Sequence, residues 1–558
     1  MGSSRATSWR DNLIGRTEPL ASSATTARSY LSAKAGEKVL VSVTFVAALI
    51  LYLPLRSIQW DLNGITEASA VEKGGTALFS PNHMLFRPIG RLVYDLARLL
   101  GYHGNSAVVL QYVTLFFAAL GIAGFALLVR RLTSSTRVAY LASFMLATSW
   151  SYWAFSTDVY YITPAACSVI WALVLLLTTE LSSVNVILVG IVASAAVLLW
   201  QANVFILAFL VAGIIWRTRN CTLRSRALLL LLFVGTITLF VGAVYTSAAA
   251  ATQASLKIDK LVHWMTSYGS DTGGRPAIWG QWSIRRIPSA VQSSVSSFVP
   301  LWEGLGLRDL RHGVLRPEKV LGQIALLALC LVLVASVWRA VVAVHRRERL
   351  VGWSVALLGG YCLFLPFIVW WDPFEPKWFV VANAFIIASL AAIWAGDLRH
   401  NRARFPVAIA LVALIAFANL TYTVLPRHTQ PNLNIELARC LAESTSDKDY
   451  FVPTDWNWFG YASYLFNYRG QIVHLMYGEG SRDSNQASLN AALTIAREMG
   501  GHVYIIDPGS YTKDFVQWSE ADLALQLPGL NAYLKTPGLR CNNVEFVTLV
   551  GAQDGRFP

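Results

Sequence analysis

Apolar runs long enough to cross a bilayer recur along this chain, separated by short polar segments, and that rhythm predicts a polytopic membrane protein. A hydrocarbon core needs ~20 apolar residues in a helix. Runs that meet or approach this length cover 38–55, 106–129, 138–156, 162–179, 184–200, 203–216, 227–249, 321–344, 351–371, 378–396 and 405–425. Hydropathy counting therefore gives roughly eleven spans. The 184–216 stretch is the weakest, because Trp200, Gln201 and Asn203 interrupt it.

Two segments break the rhythm. Ile89, Leu92, Val93, Leu96, Leu99 and Leu100 recur at helical spacing, with Arg91, Asp95 and Arg98 on the other side. Too short and charged to span, this element is expected in the membrane interface or against a neighbouring span, with Pro88 in its first turn. From about residue 427 the pattern changes again. Strands are expected at 449–452, 471–476 and 502–506, and helices at 458–466 and 488–499, before a turn at Pro508-Gly509. Alternating strand and helix implies a small α/β domain with a parallel sheet. The expected division is a disordered tail over 1–36, a transmembrane domain over 37–426 and the α/β domain over 427–558.

Composition supports this picture, since 55% of the 558 residues are hydrophobic and only 14% charged. The net charge of +13 does not indicate nucleic acid, because the cations gather in alternate loops. They are Arg130, Arg131 and Arg137; Arg217, Arg219, Arg224 and Arg226; Arg346, Arg347 and Arg349; Arg399, Arg402 and Arg404. The positive-inside rule then places the N-terminus in the cytoplasm and, with an odd span count, the C-terminus outside. The Ser-, Ala- and Arg-rich start reads as a cytosolic tail, with a transit peptide as the alternative. The 38–55 run has no cleavage pattern behind it and reads as a retained anchor. Cys440 and Cys541 fall in the external tail, where they either pair or remain two buried thiols.

Candidate chemistry lies in the outward loops. Trp60-Asp61 opens the first, followed by Glu67, Ser80-Pro81-Asn82-His83 and Arg87-Pro88. A carboxylate there is a candidate general base, or merely solvated. Asp158, in Thr157-Asp158-Val159-Tyr160-Tyr161, falls in the next outward turn, where it either flanks a reaction centre or caps a helix. A third turn reads Trp370-Trp371-Asp372-Pro373-Phe374-Glu375-Pro376-Lys377-Trp378. Lys377 there, and Arg285 and Arg286 after Trp279-Gly280-Gln281-Trp282, are candidate phosphate partners. The tail's Trp456, Trp458, Tyr461, Tyr464 and Tyr468 either stack on sugars or pack. No Walker loop, His-Glu-x-x-His run or Gly-x-Ser-x-Gly elbow occurs, which argues against an ATP-driven pump, a zinc protease and a serine hydrolase.

This layout resembles the integral-membrane type C (GT-C) glycosyltransferases, especially protein O-mannosyltransferases and the lipid A aminoarabinose transferase. The resemblance rests on Trp60-Asp61, on Asn82-His83-Met84-Leu85-Phe86-Arg87-Pro88 before an interfacial helix, on Asp158, and on the turns Leu199-Trp200-Gln201 and Trp371 to Trp378. It covers roughly 38–425 and implies an inverting transferase whose donor is a sugar on a polyprenyl phosphate. The acceptor is a glycan, lipid or protein, and the site faces the periplasm-like side of a bacterial inner membrane. By position Asp61 inherits the role of base, with Glu67 as substitute and Asp158 orienting a substrate. Asn82, His83, Arg87, Gln201 and Glu375 become candidate substrate-binding residues, while Arg285, Arg286 and Lys377 match only by location. No cofactor is assigned, and a divalent metal is left open. Where many relatives carry an Asp-Glu pair after the first span, Asp61 is followed by Leu62. The competing readings are a transporter or flippase of a lipid-linked or polar solute, and a glycan-binding subunit without turnover.

Overall fold

The computed structural model describes residues 24–178, 180–252, 257–266, 282–299, 320–345, 349–401, 403–430, 432–452, 456–466, 468, 470–473, 482–506, 533–541 and 544–552. The chain enters through α1 (Ala24–Tyr52) and makes two short loop helices, α2 (Leu62–Lys73) and α3 (Phe86–Leu99). It continues as α4 (Ser106–Thr133), α5 (Thr136–Thr148), α6 (Trp150–Ser156), α7 (Ile162–Thr178), α8 (Ser183–Leu199), α9 (Ile206–Arg217) and α10 (Leu223–Ala251). The second loop contributes α11 (Ile258–Thr266) and α12 (Ile287–Ser296), and then come α13 (Val320–His345), α14 (Arg349–Trp371), α15 (Val380–His400) and α16 (Arg404–Asn419). Among the described residues, seven helices are long and apolar enough to cross a bilayer, and three shorter apolar helices, Ile162–Leu177, Ser183–Leu199 and Gln201–Arg217, accompany them. The protein is an integral multi-pass membrane protein.

Two expectations change. Helix α1 begins at Ala24, inside the expected disordered tail. The expected 138–156 span is split at Ser149 into α5 and α6, of 13 and 7 residues. Thirteen residues rise only about 20 Å, short of the ~30 Å hydrocarbon core. Buried backbone freed by such a break must find partners within the protein, and it does. The Trp150 and Ser151 amides donate to Phe298 and Ser297 carbonyls at 3.2 and 2.9 Å, and Asn419 Nδ2 donates to the Thr148 and Phe298 carbonyls at 2.7 and 2.8 Å. The end of the second loop is thus built into the bundle. Helices α4 and α15 are largely buried, whereas α10 and α13 present Leu231, Leu239, Val334 and Trp338 outward.

Helix α3 carries the expected stripe, with Leu92, Leu96, Leu99 and Leu100 all exposed. Its other side is held by Gly90, whose missing Cβ lets it approach Leu110 of α4.

The tail follows α17 (Leu425–Thr429) and α18 (Leu433–Ser444). Strand β1 (Tyr450–Val452), α19 (Trp456–Phe466), β2 (Gln471–Ile472), α20 (Arg482–Met499) and β3 (Val503–Ile506) match the expected alternation. Strands β4 (Tyr533–Cys541) and β5 (Val544–Ala552) then add a hairpin. The sheet order is β2-β1-β3-β5-β4, parallel among the first three and antiparallel beyond, so the sheet is mixed rather than parallel. A disulfide joins Cys440 of α18 to Cys541 of β4. The expected turn at Pro508-Gly509 and the 279–281 segment lie outside the described residues, as do the first 23 residues and the Trp456 and Trp458 side chains.

Candidate active site

Three chain segments are laced together on one face. The amide of Ser57 donates to the Thr157 carbonyl at 2.9 Å, and buried Gln111 of α4 clamps both strands by donating to the carbonyls of Ser57 at 2.9 Å and Thr157 at 2.6 Å. Just beyond, the Asp61 amide donates to both oxygens of Asp158, at 3.4 and 3.2 Å. The loop after α1 and the turn between α6 and α7 therefore meet at Asp61 and Asp158, two of the residues singled out by sequence.

Asp61 is the N-cap of α2. Its Oδ1 accepts from the Asn63 amide at 2.9 Å and from Asn63 Nδ2 at 2.8 Å, satisfying donors that a helix start leaves open. Its Oδ2 has no hydrogen-bond donor among the described residues, and the side chain is only partly buried. One oxygen is structural, and the other is available. The close fit of α2 depends on Gly64, where a Cβ would stand 2.4 Å from the Val159 carbonyl oxygen.

Asp158 has a different position. It is fully buried, and Oδ2 pairs with Arg427 Nη2 at 3.1 Å while Oδ1 accepts from the Val159 amide at 2.6 Å. Burial pushes its carboxyl up to about 7, with the nearby Asp61 charge adding to the effect and Arg427 opposing it. It does not cap α7, which starts at Ile162. Asp158 holds the Asp61 backbone rather than facing a substrate. Arg427 escaped the sequence reading because it follows the last span, where an arginine reads as a topology marker. It is placed there by the unbroken run from α16 through a π-helical turn at Leu420–Val424 into α17.

From Asp61 a polar and aromatic wall runs toward α3. Asn63 Nδ2 donates to the Tyr160 hydroxyl at 3.3 Å, Tyr160 stacks on Tyr161 at 4.8 Å, and Tyr161 stacks on His83 at 3.8 Å. His83 Nε2 lies 3.5 Å from Glu67 Oε1, and Glu67 is gripped by Arg87 through Nε at 2.8 Å and Nη2 at 3.0 Å. Glu67 is buried in this pair and is not a spare base beside Asp61. Burial pushes the His83 imidazole down to about 4, which keeps it neutral at pH 7. Tyr160 and Tyr161 adjoin Asp158 in the sequence, so the doublet was the available signal for this wall.

The third turn lies against the same wall. Lys377 Nζ is 3.6 Å from Glu375 Oε2 and 5.9 Å from the Tyr160 ring centroid, and it feels the charges of Asp61 and Asp372. Arg286 Nη1 donates to the Trp370 carbonyl at 2.9 Å, bringing a second cation to the same turn. Arg285 is exposed and is not drawn in. Asn82 and Gln201 meet through backbone, Gln201 amide to Asn82 carbonyl at 3.2 Å, while Gln201 Nε2 donates to the Met265 carbonyl at 2.9 Å. They brace the rim of the loop. The tail closes over both ends of α2: the Tyr461 hydroxyl donates to the Trp60 carbonyl before it, and the Tyr464 hydroxyl donates to Glu72 Oε1 in its last turn at 2.7 Å. These two tyrosines of the aromatic cluster pack the domain onto the site.

Searches with the sequence match no family model and no curated protein. The fold does match solved structures. ArnT from Cupriavidus metallidurans, bound to undecaprenyl phosphate, aligns with a TM-score of 0.51 and 12% identity over 92% of this chain and 98% of that one. The same protein in the apo state gives 0.52 over the same shares. The oligosaccharyltransferase of Archaeoglobus fulgidus, tethered with an acceptor peptide, gives 0.45 and 14% identity over 92% of this chain and 74% of that one. The fold of this chain is that of the GT-C membrane glycosyltransferases.

Proposed function

We propose that the protein is a membrane transferase that moves a sugar from a polyprenyl phosphate to an acceptor hydroxyl, using Asp61 as general base. One observation carries this reading: Asp61 is fixed by its own helix cap and by Asp158, yet keeps one carboxylate oxygen open within the electrostatic reach of Lys377. The shared fold supports it, because ArnT was solved with undecaprenyl phosphate bound.

Asp61 Oδ2 takes the acceptor proton as the acceptor oxygen bonds to the anomeric carbon. The bond from that carbon to the phosphate oxygen breaks, its electron pair stays with the polyprenyl phosphate, and the single displacement inverts the anomeric centre. Lys377 and Arg286 face the charge that grows on the departing phosphate, where fixed cations contribute most. The buried Tyr160–Tyr161–His83 stack holds the Asp61 end of the first loop against the Glu67–Arg87 pair.

Both Asp158 oxygens accept hydrogen bonds from Arg427 and from amides. No step is routed through a metal. The test is to supply proteoliposomes with a radiolabelled polyprenyl-phosphate sugar and membrane extract as acceptor source. Label covalently joined to acceptor, matched by released polyprenyl phosphate, is the expected result. Label that only crosses the vesicle wall unchanged would point to a transporter instead.

A further inference from the structure

The segment that leads into Asp61 is held, almost residue by residue, by the chain that follows α16. His428 Nδ1 of α17 lies 2.8 Å from the Arg56 carbonyl oxygen, and the Ile58 amide donates to the Arg427 carbonyl at 2.8 Å. Gln59 Nε2 donates to the Pro426 and Gln430 carbonyls, each at 3.4 Å. On the other side of Asp61, a Cβ added at Gly460 of α19 would stand 2.5 Å from Leu62 Cδ1.

The peptide unit between Trp60 and Asp61 is gripped at both poles. Its carbonyl accepts from the hydroxyl of buried Tyr461, which also bonds Asn432, the N-cap of α18. Its N–H donates to Asp158 Oδ2 at 3.2 Å, the oxygen that Arg427 Nη2 holds at 3.1 Å. A peptide unit is planar, so fixing its C=O and its N–H fixes the direction in which the Asp61 Cα leaves it. Tyr461 grips directly, and Arg427 grips through Asp158. Both come from beyond the last span.

We infer that the tail domain is a working part of the transfer site, with Tyr461 a positioning residue that sets the Asp61 carboxylate for proton removal. This rests on the reading of Asp61 as the base and assigns the tail a task within it. A misplacement of about 1 Å costs on the order of 100-fold in rate. Tyr461 acts through Asp61 and not on the donor. Its loss therefore lowers kcat and kcat/KM together and leaves the donor KM unchanged.

Tyr464 of the same helix separates this from mere docking of α19. Its hydroxyl donates to Glu72 Oε1 at 2.7 Å and meets Ser106 Oγ at 3.0 Å and the Ala107 amide at 3.2 Å. It fastens α19 to the far end of α2, and Glu72 is eleven residues, or roughly 16 Å, along that helix from Asp61.

The experiment measures kcat, donor KM and melting temperature of the full chain in proteoliposomes with a radiolabelled polyprenyl-phosphate sugar and membrane extract as acceptor source. Tyr461→Phe, which removes only the hydroxyl, is expected to lower kcat about tenfold at unchanged donor KM. Gly460→Leu keeps that hydroxyl but wedges α19 off Leu62, and it is expected to lower kcat in the same way. Tyr464→Phe is expected to lower the melting temperature and leave kcat near the wild-type rate. Wild-type kcat in both Tyr461→Phe and Gly460→Leu, or kcat losses in all three variants that merely follow their melting temperatures, would overturn the proposal while Asp61→Asn remains inactive. Absence of transfer by wild type, or a wild-type rate in Asp61→Asn, would instead remove the base and this proposal with it.

Discussion

Arg87→Met is expected to destabilise the protein more than any other single change in the first loop. Glu67 and Arg87 side chains are 3% and 14% exposed, and they meet at 2.8 Å. At that separation an effective dielectric of about 20 gives an attraction of roughly 6 kcal/mol, offset in large part by the desolvation of both groups. Removing one partner leaves the desolvation without the attraction, a cost of about 3–5 kcal/mol. Neutral His83 cannot replace the lost cation, since burial holds it uncharged at pH 7. The Ala77 carbonyl also loses its 2.8 Å bond from Arg87 Nη1, adding about 1 kcal/mol. Equilibrium unfolding in mixed micelles reads the loss directly. Combining Arg87→Met with Glu67→Gln removes both charges and is expected to recover much of it. A cost below about 1 kcal/mol for Arg87→Met, or strict additivity in the double variant, would refute the buried-pair reasoning.

Three further outcomes follow from the same geometry. Because the Asp158 carboxyl is raised in the folded state from 3.8 to about 7, its stabilising contribution is complete below about pH 4 and is lost as pH rises through 7. Melting curves from pH 5 to 8 are expected to show this decline in wild type and not in Asp158→Asn; identical pH profiles would contradict it. Gly64→Ala drives a methyl against the Val159 carbonyl and is expected to cost about 1–3 kcal/mol and displace Asp61. By contrast Gly235→Ala in α10, where a Cβ meets nothing within 4 Å, is expected to be neutral or stabilising in the same unfolding assay. Replacing Cys440 and Cys541 by serine opens a loop spanning 101 residues, worth up to about 4.7 kcal/mol. Limited proteolysis is expected to cut the tail domain faster while the spans stay intact, and unchanged tail resistance would count against a structural role.

Much of the architecture was readable because membranes impose long apolar runs. The α3 stripe and the β1–α19–β2–α20–β3 order also followed from periodicity alone. What escaped depended on contacts distant in sequence. The Ser149 break is tolerated only because Phe298 and Asn419 reach its backbone. Strand β4 contains Pro537 and Gly538, which read locally as a turn, and it pairs through irregular register with β5. The sequence singled out Asp61, Asp158 and Glu67 together, but the contacts that distinguish them were not visible. Asp158 lies 97 positions from Asp61 and 269 from Arg427, and only folding reveals that it holds Asp61 from behind. Glu67 likewise seemed an alternative base until Arg87 and His83 closed around it.

The most direct test of the account is Asp61→Asn. Asparagine caps helices as well as aspartate does, so α2 and the fold are expected to persist while the proton acceptor disappears. In proteoliposomes with a labelled polyprenyl-phosphate sugar, transfer to acceptor is expected to fall about 100- to 10,000-fold, the usual contribution of a general base. A folded Asp61→Asn protein that transfers sugar at the wild-type rate would contradict the assignment of Asp61 as the base.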